Sequence, residues 1–326
     1  VSGAAAANYP RPKNYENNSL YPTPAGWKHP LAFERTPHKI TYPRAQTDQI
    51  GSTKVFYLPD RELPLIDMTI LVKAGEVDIE ESRTGLAAIL NGSLIKGGTK
   101  TYSPDELSRK LDENAIRLTV SVGEEVSTIH LSVIKEDWWK GLALLEEILT
   151  RPVFNARVLT VVKEQLLVDL KRQGGNAQGV AMREGMIWHF KNHPYGRDPL
   201  MGLKTIPKIG RKDLLHFMKT YFVPSNMVVA VSGDITKKQA VSGIRKLLKA
   251  LPDSQAPQRR IDDPPATPPV LALIPKPGQI QSQVILALRG VKRTSMDFWK
   301  IRLLTDIFGG SDSLMYTRLR DDLGLV

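Results

Sequence analysis

The sequence predicts an α+β fold, a mixed or antiparallel sheet packed with helices, and three observations carry that expectation. Stretches in which apolar residues alternate with polar ones come in groups, separated by stretches with three- and four-residue apolar spacing. Cap and turn residues sit at the ends of these stretches, and a proline-rich run near residue 260 divides the chain. Toward the C-terminal end, the order strand, helix, Gly309-Gly310, helix repeats the earlier order around Gly97-Gly98, which points to a second copy of one fold, cut short.

Residues 1–48 are rich in Pro, Asn, Tyr and Ala and show no sustained period. They read as an extended arm lying on the folded surface through Trp27, Phe33 and Tyr42. From about residue 52, "TKVFYLPDRELPLIDMTILVKAG" reads as two strands forming a hairpin around Pro59-Asp60-Arg61. A helix in "TGLAAILNGSLIKGGT", residues 84–99, follows. In "SPDELSRKLDENA", Ser103 and Glu106 make a capping box and Pro104 takes the first helical position.

Two strands come next: Ile116, Leu118, Val120 and Val122 share one face of the first, and Ile129, Leu131 and Val133 one face of the second. Trp138, Trp139, Leu142, Leu145 and Ile148 recur at helical spacing in 136–150, and Pro152 follows the end of that helix. Further helices are expected at 155–173, at 177–191 and in "RKDLLHFMKTYF", then a buried strand in "NMVVAVSGDI". Thr236 caps the closing helix in "TKKQAVSGIRKLLKAL".

Residues 49–251 therefore read as one domain and the prolines of 252–269 as a stiff linker. In 270–326, a strand in "QSQVILALRGVKR", a glycine-stopped helix in "SMDFWKIRLLTDIFGG" and a helix from "SLMYTRLRDD" read as the incomplete second domain. A segment of that size is too short for a stable core of its own.

Composition narrows the function. The chain has 326 residues, 41% hydrophobic and 24% charged, and no apolar run approaches the roughly 20 residues that span a bilayer. The absence of cysteine excludes disulfides, thiolate catalysis and Cys-ligated zinc. The formal charge of +11 is spread along helices without a basic block or interleaved aromatics, a pattern that argues against nucleic acid and for an acidic protein partner or peptide. The start "VSGAAAANYPRP" lacks the basic segment and apolar core of a signal peptide, yet has the small residues found near a cleavage site. A periplasmic or exported location and a cytoplasmic one both stay open.

His189 and His193 are four apart, as a helical zinc pair would be, but Asn192-His193-Pro194 reads as a helix exit and no carboxylate lies between them. His130 and His216 read as partly buried polar residues.

The opening strand pair, "TGLA…KGGT", "HPYGRDPLMG" leading to "YFVPSNMVVAVSGDI", and "LRDDLGLV" together resemble, in order and spacing, the pitrilysin or insulinase-like (M16) zinc metallopeptidases. That family includes the mitochondrial processing peptidases and the core proteins of respiratory complex III. The resemblance implies a helix that in active members reads His-x-x-Glu-His, two zinc ligands with a general base between them, and a third Glu ligand some 77 residues later. Here those positions hold Ala88, Asn91 and Gly92, with Asp169 at or beside the third ligand's place.

By the same resemblance, a second-domain Arg and a Tyr seven residues on hold the scissile carbonyl. "LRDDLGLV" puts the Arg at Arg320, with Arg318 as an alternative, and the Tyr would fall at position 327, one past Val326. The resemblance thus implies a chain without catalytic zinc of its own. It would act as the non-catalytic subunit of a heterodimer, helping to bind extended peptides and lending Arg320 to a zinc-motif partner. The alternative is a stand-alone peptide-binding or assembly protein.

Overall fold

The computed structural model describes residues 42–259, 261–266, 268–278, 281–310 and 313–325. It divides into two compact units, Tyr42–Ala287 and, among the described residues, the stretch from Leu288 onward. Most of the expected arm, with Trp27 and Phe33, lies outside the described residues, and Tyr42 is 75% exposed rather than laid on a surface.

In the larger unit six strands make one open, mixed sheet: β1 (Gln46–Ile50), β2 (Thr53–Pro59), β3 (Leu65–Val72), β4 (Arg117–Val122), β5 (Ser127–Ile134) and β6 (Met227–Gly233), in the order β1-β2-β6-β3-β5-β4. Alternation sets its faces. Val55 and Tyr57, Ile66 to Val72 at every second position, Leu118 and Val122, Ile129 to Val133, and Met227, Val229 and Val231 are all buried, while the residues between them are half-buried or exposed.

The helices are α1 (Leu86–Ser93), α2 (Pro104–Glu113), α3 (Trp138–Thr150), α4 (Ala156–Gly175), α5 (Ala177–Phe190), α6 (Gly202–Thr205), α7 (Arg211–Tyr221) and α8 (Lys237–Ala250). The capping box at Ser103 and Glu106 and the Thr236 cap both form as the sequence predicts. The buried faces of α1, α3 and α8 join the apolar face of the sheet in one core.

Three expectations need correction. Residues 46–48, assigned to the arm, instead open β1, which pairs with β2 from Ile50↔Thr53 through a turn at Gly51, whose φ of +58° suits glycine. The strands β2 and β3 exist but are no hairpin: β6 lies between them, parallel to β2 and antiparallel to β3. With Met227, Val229 and Val231 buried, it takes a place inside the sheet, where both edges of a strand are hydrogen-bonded. Finally, 281–291 form no strand, and Val284, Leu286 and Leu288 are exposed. Among the described residues no neighbouring strand offers these backbone groups a ladder, and a strand is not stable without one.

The expected linker 252–269 falls within the larger unit, fastened at Arg259 and Asp262. The smaller unit contains α9 (Phe298–Gly309), with Gly310 as its cap, and α10 (Leu314–Tyr316), which runs into a π-helical turn at Thr317–Asp322. Among the described residues no helix is long and apolar enough to cross a membrane.

Candidate functional site

Helix α1 buries Leu86, Ala87, Ile89, Leu90 and Ser93, which leaves Ala88, Asn91 and Gly92 together on its other face, as three- and four-residue spacing requires. That face meets α4 and the end of β4. It is occupied. A Cβ built on Gly92 would stand 2.7 Å from Val162 Cγ1 and 3.3 Å from Cγ2, so the methyl groups of α4 fill the space where a side chain at 92 would begin.

Asn91 has a different partner. Its Oδ1 accepts from the Val122 N–H at 2.6 Å, and its Nδ2 donates to the Val122 carbonyl at 3.2 Å. Both polar atoms of the amide are therefore engaged with one backbone residue at the end of an edge strand.

Asp169 lies on α4 seven residues beyond Val162, about 10 Å of helix rise. Its two carboxylate oxygens accept from Gln165 Nε2 at 3.1 and 3.2 Å. A methyl group, an amide already spent on backbone, a missing Cβ and one carboxylate do not make a zinc site, so the ion's chemistry does not fit these residues. Nor do three His, Asp or Glu side chains gather in any metal-holding group among the described residues.

The histidine pair does not converge. His189 sits in α5, while His193 is the buried N-cap of a short 3-10 turn, Pro194–Gly196. His193 Nδ1 accepts from the Tyr195 N–H at 3.2 Å, which leaves Nε2 as the protonated nitrogen facing the Asp262 carbonyl at 3.0 Å. Both ring nitrogens are used structurally. His130 is half-buried, with Nδ1 3.3 Å from Thr69 Oγ1 and Nε2 3.4 Å from Asp67 Oδ1, whereas His216 is exposed, contrary to expectation.

One cluster was not foreseen from the sequence. The tip of the β4–β5 hairpin, Gly123 to Val126, is held from several sides. The Glu76 and Val77 N–H groups donate to the carbonyls of Gly123 and Glu124 at 2.9 and 3.1 Å. The Tyr195 hydroxyl donates to Glu125 Oε1, and Arg259 from the proline-rich segment donates to the Glu125 carbonyl. Arg259 also forms a two-point pair with Asp78, Nε to Oδ1 at 3.0 Å and Nη2 to Oδ2. Burial, and then the Glu125 carboxylate beside it, push the Tyr195 phenol up to about 12. The only sequence signal for this cluster was the polar "HPYGR" loop, in which Arg197 also donates to the Glu76 carbonyl at 3.1 Å.

In the smaller unit Arg318 is paired with Asp322 at 2.8 Å. Arg320 is exposed, its guanidinium 5.2 Å from the centre of the Tyr316 ring, with no carboxylate partner among the described residues. Among the described residues, Arg318 is paired with a carboxylate and Arg320 is not.

Residues 208–326 match the family model described as the peptidase M16 inactive domain. An uncharacterized zinc protease of Rickettsia felis is 21% identical over 272 residues, covering 81% of this chain and 64% of the relative. A probable mitochondrial-processing peptidase subunit beta of Arabidopsis thaliana is 21% identical over 225 residues, 66% of this chain and 42% of the relative. The chain thus spans less than two thirds of the length of these relatives. The crystal structure of a peptidase M16 inactive domain from Pseudomonas fluorescens shares the fold, with a TM-score of 0.73 at 21% identity over 86% of this chain and 68% of that one.

Proposed function

We propose that this chain, a relative of the M16 peptidases, is the non-catalytic partner subunit of a two-chain zinc peptidase. The observation that carries the reading is the state of the α1 face. Val162 fills the space at Gly92 and Val122 engages Asn91, so the positions where active relatives hold ligands and base are here part of the packing. Zinc and the water-activating base then belong to a second chain with an intact His-x-x-Glu-His helix.

This chain's part is to hold an extended peptide and to present Arg320 toward the scissile carbonyl in the partner's site. Two features support that role. The sheet is open at β4, which adjoins the α1 face, and an edge strand accepts an extended peptide through its backbone. Arg320 is exposed, without a carboxylate partner among the described residues.

Residues 270–326 as the start of a second copy of the fold, joined by the segment 252–269, and an exported or periplasmic location belong to the same proposal. The Ala-rich start, the absence of cysteine and the family likeness support that location.

The test is reconstitution with a zinc-motif-bearing M16 chain. The mixture should cleave a quenched peptide, and Arg320→Ala should lower kcat/KM of the assembled complex by about a hundredfold, as loss of one oxyanion donor does. Unchanged kcat/KM in a fully assembled Arg320→Ala complex would remove Arg320 from the reaction. No activity in any mixture would favour a peptide-holding or assembly protein acting alone.

A further inference from the structure

The direction of each backbone group along β4 is fixed by one hydrogen bond. The Gly123 N–H donates to the Val126 carbonyl at 3.0 Å, so Gly123 and Val126 are a hydrogen-bonded pair of the antiparallel ladder. Such pairs alternate with non-bonded ones. In the register Val122↔Ser127, Val120↔Ile129 and Leu118↔Leu131, it follows that Val122, Val120 and Leu118 point their N–H and C=O groups away from β5, toward the open edge. These are the groups that an added strand would use.

One of the three is already taken. The Asn91 amide meets the outward pair of Val122 with an acceptor on its N–H and a donor on its carbonyl, which is what a neighbouring backbone residue would supply. At the other end of β4, the next group in the same phase, the Ile116 N–H, donates to the Leu111 carbonyl at 2.8 Å. Leu118 and Val120 lie between these two stops, and none of their outward groups has a partner among the described residues.

We propose that Asn91 is an end stop for strand addition at β4: it completes the outward hydrogen-bonding pair of Val122 and confines an incoming extended peptide backbone to the pairs at Leu118 and Val120. The side chain matters. A carboxylate at 91 accepts from the Val122 N–H but has no proton for the carbonyl, and a shorter side chain reaches neither. The hairpin tip beyond Val122 is held by Glu76, Tyr195 and Arg259, so the stop works on a fixed edge. The proposal rests on the reading that β4 takes up extended peptide, and the experiment separates the two.

Residue-resolved amide hydrogen exchange is measured on the full chain, on Asn91→Ala and on Asn91→Asp, each alone and with a blocked, uncharged peptide of alternating Thr and Val. Without peptide, the Val122 amide should exchange about fivefold or more faster in Asn91→Ala than in the parent and stay slow in Asn91→Asp, as expected for one hydrogen bond. With peptide, slowing should be confined to Leu118 and Val120 in the parent, and should extend to Val122 in Asn91→Ala with roughly tenfold tighter binding from the two added bonds.

Equal Val122 exchange in parent and Asn91→Ala without peptide overturns the end stop. So does the same peptide footprint, Val122 included, in both proteins, and in that case the peptide-binding reading survives. Peptide that slows no β4 amide in any of the three proteins overturns the end stop together with strand addition at this edge, whatever Val122 does alone.

Discussion

Replacing Gly92 by alanine sets two effects of known sign against each other. Alanine is favoured over glycine in a helix by up to about 1 kcal/mol, and less here because Gly92 is the penultimate residue of α1. Against that, the new methyl would lie 2.7 Å from Val162 Cγ1, and Val162 is a short branched side chain that has no flexible end to swing away. Forcing an extra methyl into a filled space costs about 1 to 3 kcal/mol. Gly92→Ala should therefore be destabilising, by up to about 3 kcal/mol.

In a Val162→Ala background the clash disappears and only the helical preference remains, so there the substitution should be neutral or stabilising by up to about 1 kcal/mol. Urea unfolding of the parent, the two single variants and the double variant gives the coupling, expected at about 1 to 3 kcal/mol. If Gly92→Ala stabilises equally in both backgrounds, the coupling is zero, Val162 does not fill the space, and the α1 face is empty rather than repacked.

Arg259→Ala leaves the Asp78 carboxylate, whose side chain is 8% exposed, without its cation. Because Arg259 is itself partly solvated, the loss should be about 2 kcal/mol, below the range for a fully buried pair, and the segment 252–269 should become more sensitive to protease. Tyr195 should ionise near 12, where burial and Glu125 hold it. Tyrosinate absorbance followed through alkaline pH should lose that late step in Tyr195→Phe and show it earlier in Glu125→Gln. Since the folded value lies above the unfolded one near 10, the associated stability is fully present below about 10 and is lost as pH rises toward 12. A stability that rises through that window would contradict the assignment.

Element types were mostly legible in the sequence, because each is coded locally. The alternation of Leu118, Val120 and Val122, the capping box at Ser103 and the cap at Thr236 all lie within a few residues of what they determine. Neighbour relations were not. The sequence between β2 and β3 has the marks of a hairpin, and nothing local says that β6, far along the chain, enters between them. Strand β1 escaped because "QTDQI" is polar and an edge strand needs only its backbone to pair, although Gly51-Ser52 is a usable turn signal.

The candidate site shows the same divide. The family resemblance implied that Ala88, Asn91 and Gly92 stand where active members hold zinc ligands and base, but it could not say what these residues meet. Their neighbours, the methyls of Val162 and the backbone of Val122, come from segments that only the folded chain brings to α1. The Arg259, Asp78 and Glu125 cluster was hidden for a similar reason, since an Arg in a proline-rich stretch reads as solvated until the acids it meets are known.

The central claim is that this chain holds no catalytic zinc and works only beside one that does. The most direct measurement is the zinc content and peptide-cleaving activity of the purified full chain, alone and after mixing with a zinc-motif-bearing M16 chain. The account predicts metal-free and inert protein alone, with cleavage and partner-bound zinc on mixing. Stoichiometric zinc and cleavage by the chain alone would contradict it, and would mean that the metal is held by residues other than those around Ala88, Asn91 and Gly92.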